Sequence, residues 1–175
     1  AAAATTVGSQ VIVGPHVGDL DTALARQAFH HAIDRLRGLH AVRPAAVVCD
    51  RHPDYYTTRV AQLSDMKVIA VQHHVAHIAA CMVENGIEGP VLGVAWDGTG
   101  FGDDGTIWGG EFIFVDGAST RRVAHLAPFP LPGGEKAVTE PRRAAIGLLY
   151  ELCGASTLAD TSLKPVHSFS AAELR

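Results

Sequence analysis

A chain of 175 residues and 18.4 kDa is long enough for one domain with its own core, or for two small lobes. Hydrophobic residues make up 47% and charged residues 18%, against roughly 25% charged in an average soluble protein, which excludes intrinsic disorder and a charged coiled coil. Fourteen Lys and Arg against eighteen Asp and Glu give a net charge of −4, which argues against a general basic surface for nucleic acid; no apolar run approaches the roughly 20 residues of a membrane span.

In chain order, residues 1–6 are small and neutral, lack the basic region of a signal peptide, and read as disordered or as an expression scar. Residues 7–13 alternate as a strand, closed by Gly14-Pro15. From Asp21 the period changes: Leu24, Ala28, Ala32, Ile33 and Leu36 predict an amphipathic helix capped by Asp21 and stopped by Gly38. Residues 45–49 read as a buried strand, 50–54 as a polar loop, 55–63 as a short helix and 67–71 as another buried strand. A helix over 74–84 follows, then an apolar strand over 91–96.

Six glycines between Gly98 and Gly110 are too many for a helix. Residues 107–115 and 122–126 suggest a hairpin, 128–134 a loop, and 141–153 a helix with Pro141 at its start and Gly154 past its end. Residues 155–175 are weakly patterned and read as an irregular tail. Strands alternating with helices, then a hairpin, predict a single α/β domain over 1–175, a mixed sheet with flanking helices. Cys49, Cys81 and Cys153 form no CxxC pair; their odd number favours a reducing, cytoplasmic setting, each thiol serving as a small buried hydrophobe.

Two segments carry chemistry. In Gln72-His73-His74-Val75-Ala76-His77, His73 and His77 are four apart, so at a helix start both imidazoles point to one side and can offer two nitrogens to one metal ion. The glutamate of a zinc protease is missing, its place taken by His74. The spacing alone leaves open histidines that merely satisfy a helix start. Of possible third ligands, Asp97 ends the next strand, where a parallel neighbour's carboxyl end lies near the helix start.

The run from Asp97 to Glu111 is the second segment. Its glycines allow a concave nest of N–H groups, with acidic residues to hold a cation beside phosphates. A Walker loop fails for want of a lysine, and a calcium loop fails because Phe101 and Trp108 occupy ligand places. A tight hairpin is the plain alternative. Pro130-Leu131-Pro132-Gly133-Gly134-Glu135-Lys136 is a further loop whose glycines let a ribose or adenine lie against backbone.

Together, Gly14-Pro15-His16-Val17-Gly18-Asp19-Leu20, Arg51-His52-Pro53-Asp54-Tyr55, the histidine cluster, residues 95–112 and residues 130–137 closely resemble, in order, the hydrogenase-maturation carbamoyltransferases, the HypF family. The resemblance covers roughly residues 10–154 and implies the first lobe of a C-terminal module similar to threonylcarbamoyl transferases of tRNA modification, in the actin-like ATPase (RNase H-like) superfamily. It implies an enzyme that makes carbamoyl-adenylate from carbamoyl phosphate and ATP and passes the carbamoyl group to the C-terminal cysteine of a partner, HypE.

By the same resemblance His73 and His77 are metal ligands for zinc or iron, with Asp97 as a third ligand or as the holder of a metal-bound water; magnesium is a further candidate cation. Gly98, Thr99 and Gly100 lie at the phosphates, and Glu111 and Gly134 face the nucleoside. His74 assists proton transfer or simply packs. Relatives in the superfamily that carbamoylate small-molecule hydroxyls or modify tRNA are the alternative, as is a lobe that binds nucleotide or partner without turnover. Family proteins are longer, with acylphosphatase-like, zinc-finger and YrdC-like segments upstream and a second lobe expected after Ala155. The chain is therefore expected to be inactive alone, to work with the remaining HypF domains and without membrane or nucleic acid, and to self-associate through its uncovered face. Glu135 stands where the family usually has Asp.

Overall fold

Residues 4–6, expected to lie outside the fold, join Val7 in strand β1 (Ala4–Val7) in the computed structural model, which describes residues 1–41, 43–170 and 172–173. β-branched Thr5, Thr6 and Val7 suit an extended backbone, and a two-residue turn at Gly8-Ser9 returns the chain into β2 (Gln10–Val13), antiparallel to β1. The single predicted strand is thus a hairpin. The chain divides into two compact units: Ala1–Cys81 with Phe101–Thr106, and Met82–Gly100 with Ile107–Arg175.

In the first unit, α1 (Ala23–Leu39) is capped by Thr22, not Asp21: Thr22 has extended backbone and its Oγ1 accepts from Ala25 N at 3.2 Å. Phe29, Ala32 and Leu36 form its buried stripe, while Leu24, expected inside, is exposed. Strand β3 (Ala46–Asp50) runs parallel to β4 (Lys67–Val71), with Asp50 opposite Val71. The crossover is α2 (Tyr56–Gln62), which buries Thr58 and Ala61; the Thr58 hydroxyl donates to Asp50 O at 3.1 Å. β4 was expected to be buried, yet Val68 and Ile69 are both more than a third exposed.

Helix α3 (His73–Glu84) follows β4 after one residue, and its last three residues belong to the second unit. Gln72 opens it: the side-chain Oε1 accepts from Val75 N at 2.9 Å, taking up one of the N–H groups a helix start leaves over.

In the second unit, β5 (Val91–Phe101), β6 (Ile107–Asp116) and β7 (Ser119–His125) make a sheet in that order, β5 giving its last residue to the first unit. β6 pairs antiparallel with β7, with a bulge between Phe112 and Ile113. Glu111, Ile113 and Val115 are buried at the period of two expected of a half-buried strand, and Trp108 is buried on the far side of Gly109-Gly110. A short helix α4 (Lys136–Thr139) precedes α5 (Pro141–Cys153), whose bounds match the sequence expectation. A Cβ on Gly147 would fall 1.9 Å from the carbonyl oxygen of Pro130, so the loop 130–134 packs directly onto helix backbone.

The predicted irregular tail is docked instead. A 3₁₀ turn (Ala155–Ala159) and helix α6 (Lys164–His167) bring Val166 to 1% exposure, and Arg142 of α5 donates to Ser168 O. The cysteines were expected to be buried; Cys81 and Cys153 are exposed and Cys49 half-buried. Among the described residues, no helix is long and apolar enough to cross a membrane.

Candidate functional site

The parallel pair β3–β4 delivers two strand ends to the same place, and the histidine cluster starts where β4 stops. Asp50 is the last residue of β3, and His73 lies two residues beyond its register partner Val71. His73 Nδ1 and Asp50 Oδ2 are 2.6 Å apart. The other carboxylate oxygen, Oδ1, accepts from His52 N at 2.7 Å, closing a tight turn at the start of the Arg51–Tyr55 segment. In that segment the His52 ring stacks on Tyr55, with ring centres 4.1 Å apart and planes 3° from parallel.

One turn along α3, His77 Nε2 lies 3.2 Å from His73 Nε2. Two imidazole nitrogens each bound at ~2.05 Å to one ion, and 3.2 Å from each other, subtend about 100° at it, between the octahedral and tetrahedral values. The pair therefore fits a divalent transition metal. A carboxylate acts only as acceptor, so the 2.6 Å bond places the proton of His73 on Nδ1 and leaves the Nε2 lone pair facing His77.

His74 points the other way. It has no exposed surface; its Nδ1 takes a hydrogen bond from Gln72 Nε2 at 3.1 Å, and Gln72 Nε2 also donates to Phe101 O at 3.1 Å.

The glycine-rich run is a long hairpin. Gly98, Thr99 and Gly100 are in strand β5, and among the described residues Gly105 is the one of the six glycines with positive φ, +76° at the tip. There Gly102 N donates to Thr106 O at 2.9 Å, and Asp104 Oδ1 accepts from both the backbone N and the hydroxyl of Thr106. Asp103 of this tip pairs with Arg51.

In the second unit Asp97 Oδ1 accepts from the next residue's amide, Gly98 N, at 2.7 Å. Glu111, expected at a nucleoside, is 2% exposed; it takes two hydrogen bonds from Arg122, 2.6 Å from Nε and 3.0 Å from Nη2, and one from Gly109 N at 3.1 Å. Arg122 lies over the Trp108 ring, 3.9 Å from its centre. Gly134 precedes α4 with φ +58°, after Gly133, beside which Arg143 is packed.

Sequence reasoning missed Asp50 and the helix-opening role of Gln72. Asp50 reads as the first residue of a polar loop; the signal that finds it is the pairing of β3 with β4, which puts both strand ends beside α3.

A mixed α/β fold with a His-x₃-His pair opening a helix beyond a parallel strand pair defines a domain of the Kae1-like type, and comparison with known proteins agrees. Residues 1–84 match the family described as HypF Kae1-like domain, and residues 93–173 match that described as carbamoyltransferase, Kae1-like domain, second subdomain. The chain belongs to the HypF carbamoyltransferase family. It is 46% identical over 154 residues to the carbamoyltransferase HypF of Synechocystis, covering 87% of this chain and 20% of that protein. With HypF2 of Cupriavidus necator it shares 44% over 151 residues, covering 84% of this chain and 19% of the relative. The crystal structure of full-length HypF in the phosphate- and nucleotide-bound form superposes with a TM-score of 0.89 at 36% identity, covering 99% of this chain and 22% of that one. T. kodakarensis HypF gives 0.79 at 33%, covering 86% and 20%. The chain thus spans about a fifth of the length of these relatives. The matches favour the HypF branch over the tRNA-modifying and small-molecule branches of the superfamily.

Proposed function

We propose that this chain is part of a carbamoyltransferase that uses carbamoyl-adenylate, formed from carbamoyl phosphate and ATP, to carbamoylate the C-terminal cysteine of a HypE-type protein in the cytoplasm. The observation that carries the reading is the convergence of His73 and His77 at 3.2 Å on a face set by a half-buried carboxylate–imidazole bond. A nucleotide-bound relative of the same fold supports the nucleotide part.

In this reading His73 and His77 hold zinc or iron, and family resemblance supplies Asp97 as the third donor. The ion serves as a Lewis acid that draws charge from a carbamoyl or phosphate oxygen. The chain's own residues orient and support. Gln72 fixes the start of α3 and hence the two imidazoles, and Asp50 holds His73. In the same reading Gly98, Thr99 and Gly100 lie towards the phosphates and Gly134 towards the nucleoside, with magnesium as the nucleotide's cation. Glu111, turned into the fold, acts through the Gly109 backbone it binds and not by direct contact. His74, fully buried, supports the helix start.

The test is metal content by mass spectrometry, with a His73→Ala/His77→Ala double variant beside the parent. Stoichiometric zinc or iron that vanishes in the variant is expected; equal metal in both, or none in either, overturns the ligand assignment. Transfer itself is checked in a protein extended to the full length of its relatives, by carbamoyl-adenylate turnover with a HypE C-terminal peptide. Self-association through exposed apolar residues such as Val48 and Leu63 is the remaining expectation, and a strict monomer by light scattering at high concentration counts against it.

A further inference from the structure

We propose that Asp50 is a positioning residue: it locks His73 in the tautomer protonated on Nδ1, so that Nε2, 3.2 Å from His77 Nε2, is the nitrogen that accepts a ligand. The inference deepens the metal reading and rests on it for its consequence, but its physical content is a property of the metal-free chain.

Three observations carry it. First, Asp50 Oδ2 lies 2.6 Å from His73 Nδ1, a short charge-assisted contact in which only the imidazole donates. Second, the carboxylate cannot turn to suit the ring, because Oδ1 already accepts from His52 N at 2.7 Å. Its main chain is also fixed, by register with Val71, by Arg51 N donating to Val71 O at 3.2 Å and by the Thr58 hydroxyl on Asp50 O. Third, the Asp50 side chain is 16% exposed, and the guanidinium next to it, Arg51, goes to Asp103 instead. The negative charge is therefore directed to His73, which raises the donor strength of Nε2 as well as fixing its direction.

This arrangement makes an unusual demand of mutants. In Asp50→Asn the amide oxygen stays on His52 N, which needs an acceptor. The NH₂ then faces His73 Nδ1 and donates to it, driving the ring proton to Nε2, where it blocks ligation. In Asp50→Ala the ring is left to choose. The isosteric variant must therefore be the worse binder, the reverse of what a merely structural hydrogen bond predicts.

The experiment has two readouts on the parent chain and both variants, with circular-dichroism melts to show that all three fold. Nitrogen-15 NMR of the imidazoles, without metal and above the imidazole titration range, is expected to show His73 protonated on Nδ1 in the parent and on Nε2 in Asp50→Asn. An unchanged tautomer, or a parent already protonated on Nε2, overturns the proposal. Zinc titration against a chelator is expected to show a loss of about 10- to 100-fold for Asp50→Ala and a larger loss for Asp50→Asn. Asparagine binding as tightly as the parent, or more tightly than alanine, also overturns it. A parent that binds no zinc while its tautomer switches as described sinks the metal reading and leaves the role of Asp50 standing.

Discussion

Glu111 and Arg122 tie β6 to β7 through two side-chain hydrogen bonds, one of 2.6 Å and one of 3.0 Å, with the carboxylate 2% exposed and the guanidinium lying on Trp108. Removing one partner of such a pair strands a desolvated charge, whereas replacing both by apolar groups costs far less. Glu111→Gln is expected to lower stability by about 2–3 kcal/mol, and Glu111→Leu/Arg122→Met by less than the sum of the single changes. Urea unfolding of the four members of that cycle measures the coupling; additive losses would show that the pair contributes nothing as a pair.

Gly147 is a packing requirement and not a flexibility one. With Pro130 O only 1.9 Å from where a Cβ would sit, Gly147→Ala must push α5 from the loop or bend it. Alanine normally favours a helix, so helix propensity predicts a gain of about 1 kcal/mol and the contact predicts a loss of about 1–3 kcal/mol. A lowered melting temperature is the expected result.

Acid should loosen the docked tail. The hydrogen bond from Arg142, aided by Arg143, holds the Glu140 carboxyl below its usual range, and bonds from the Ser170 amide and hydroxyl do the same for Glu173. A carboxylate whose pKa is lower folded than unfolded stabilises fully above its unfolded value, and that contribution is lost as the pH falls through the folded value. The melting-temperature difference between the parent and Glu140→Gln is therefore expected to be full at neutral pH and to vanish as the pH falls through the lowered folded-state value of the Glu140 carboxyl. A difference that persists there would assign the effect to shape instead of charge.

The helix cap offers a direct comparison of neighbours. Thr22→Ala removes the acceptor for Ala25 N and is expected to cost about 1 kcal/mol, while Asp21→Ala, one residue too early to cap, should cost much less. Chemical denaturation of the two variants checks the assignment, and equal losses would refute it.

How legible the fold was depended on whether a segment's partners are near it in sequence. β4 and α5 were readable to the residue, because apolar runs and Pro–Gly punctuation are local signals. β1 was not, since Ala4–Val7 is recognisable as a strand only through its pairing with β2. The His73–His77 pair was visible as a spacing on one helix face, but Asp50 lies 23 residues away and joins them only because two parallel strands end together. Glu111 was read as a site residue from its place in a glycine-rich run, and its burial against Arg122 comes from a cross-strand geometry no local pattern encodes.

Gln72 carries three attachments on one amide: the first turn of α3, the His74 ring and the carbonyl of Phe101. The glycine-rich tip has little apolar mass of its own, so it leans on that junction together with the Arg51–Asp103 pair. A disturbance at either end travels as a change in the same side chain: loosening the tip frays the helix start, and fraying the helix start releases the tip. The histidine pair and the tip over 101–106 are in this sense one mechanical part, with a glutamine as its rivet.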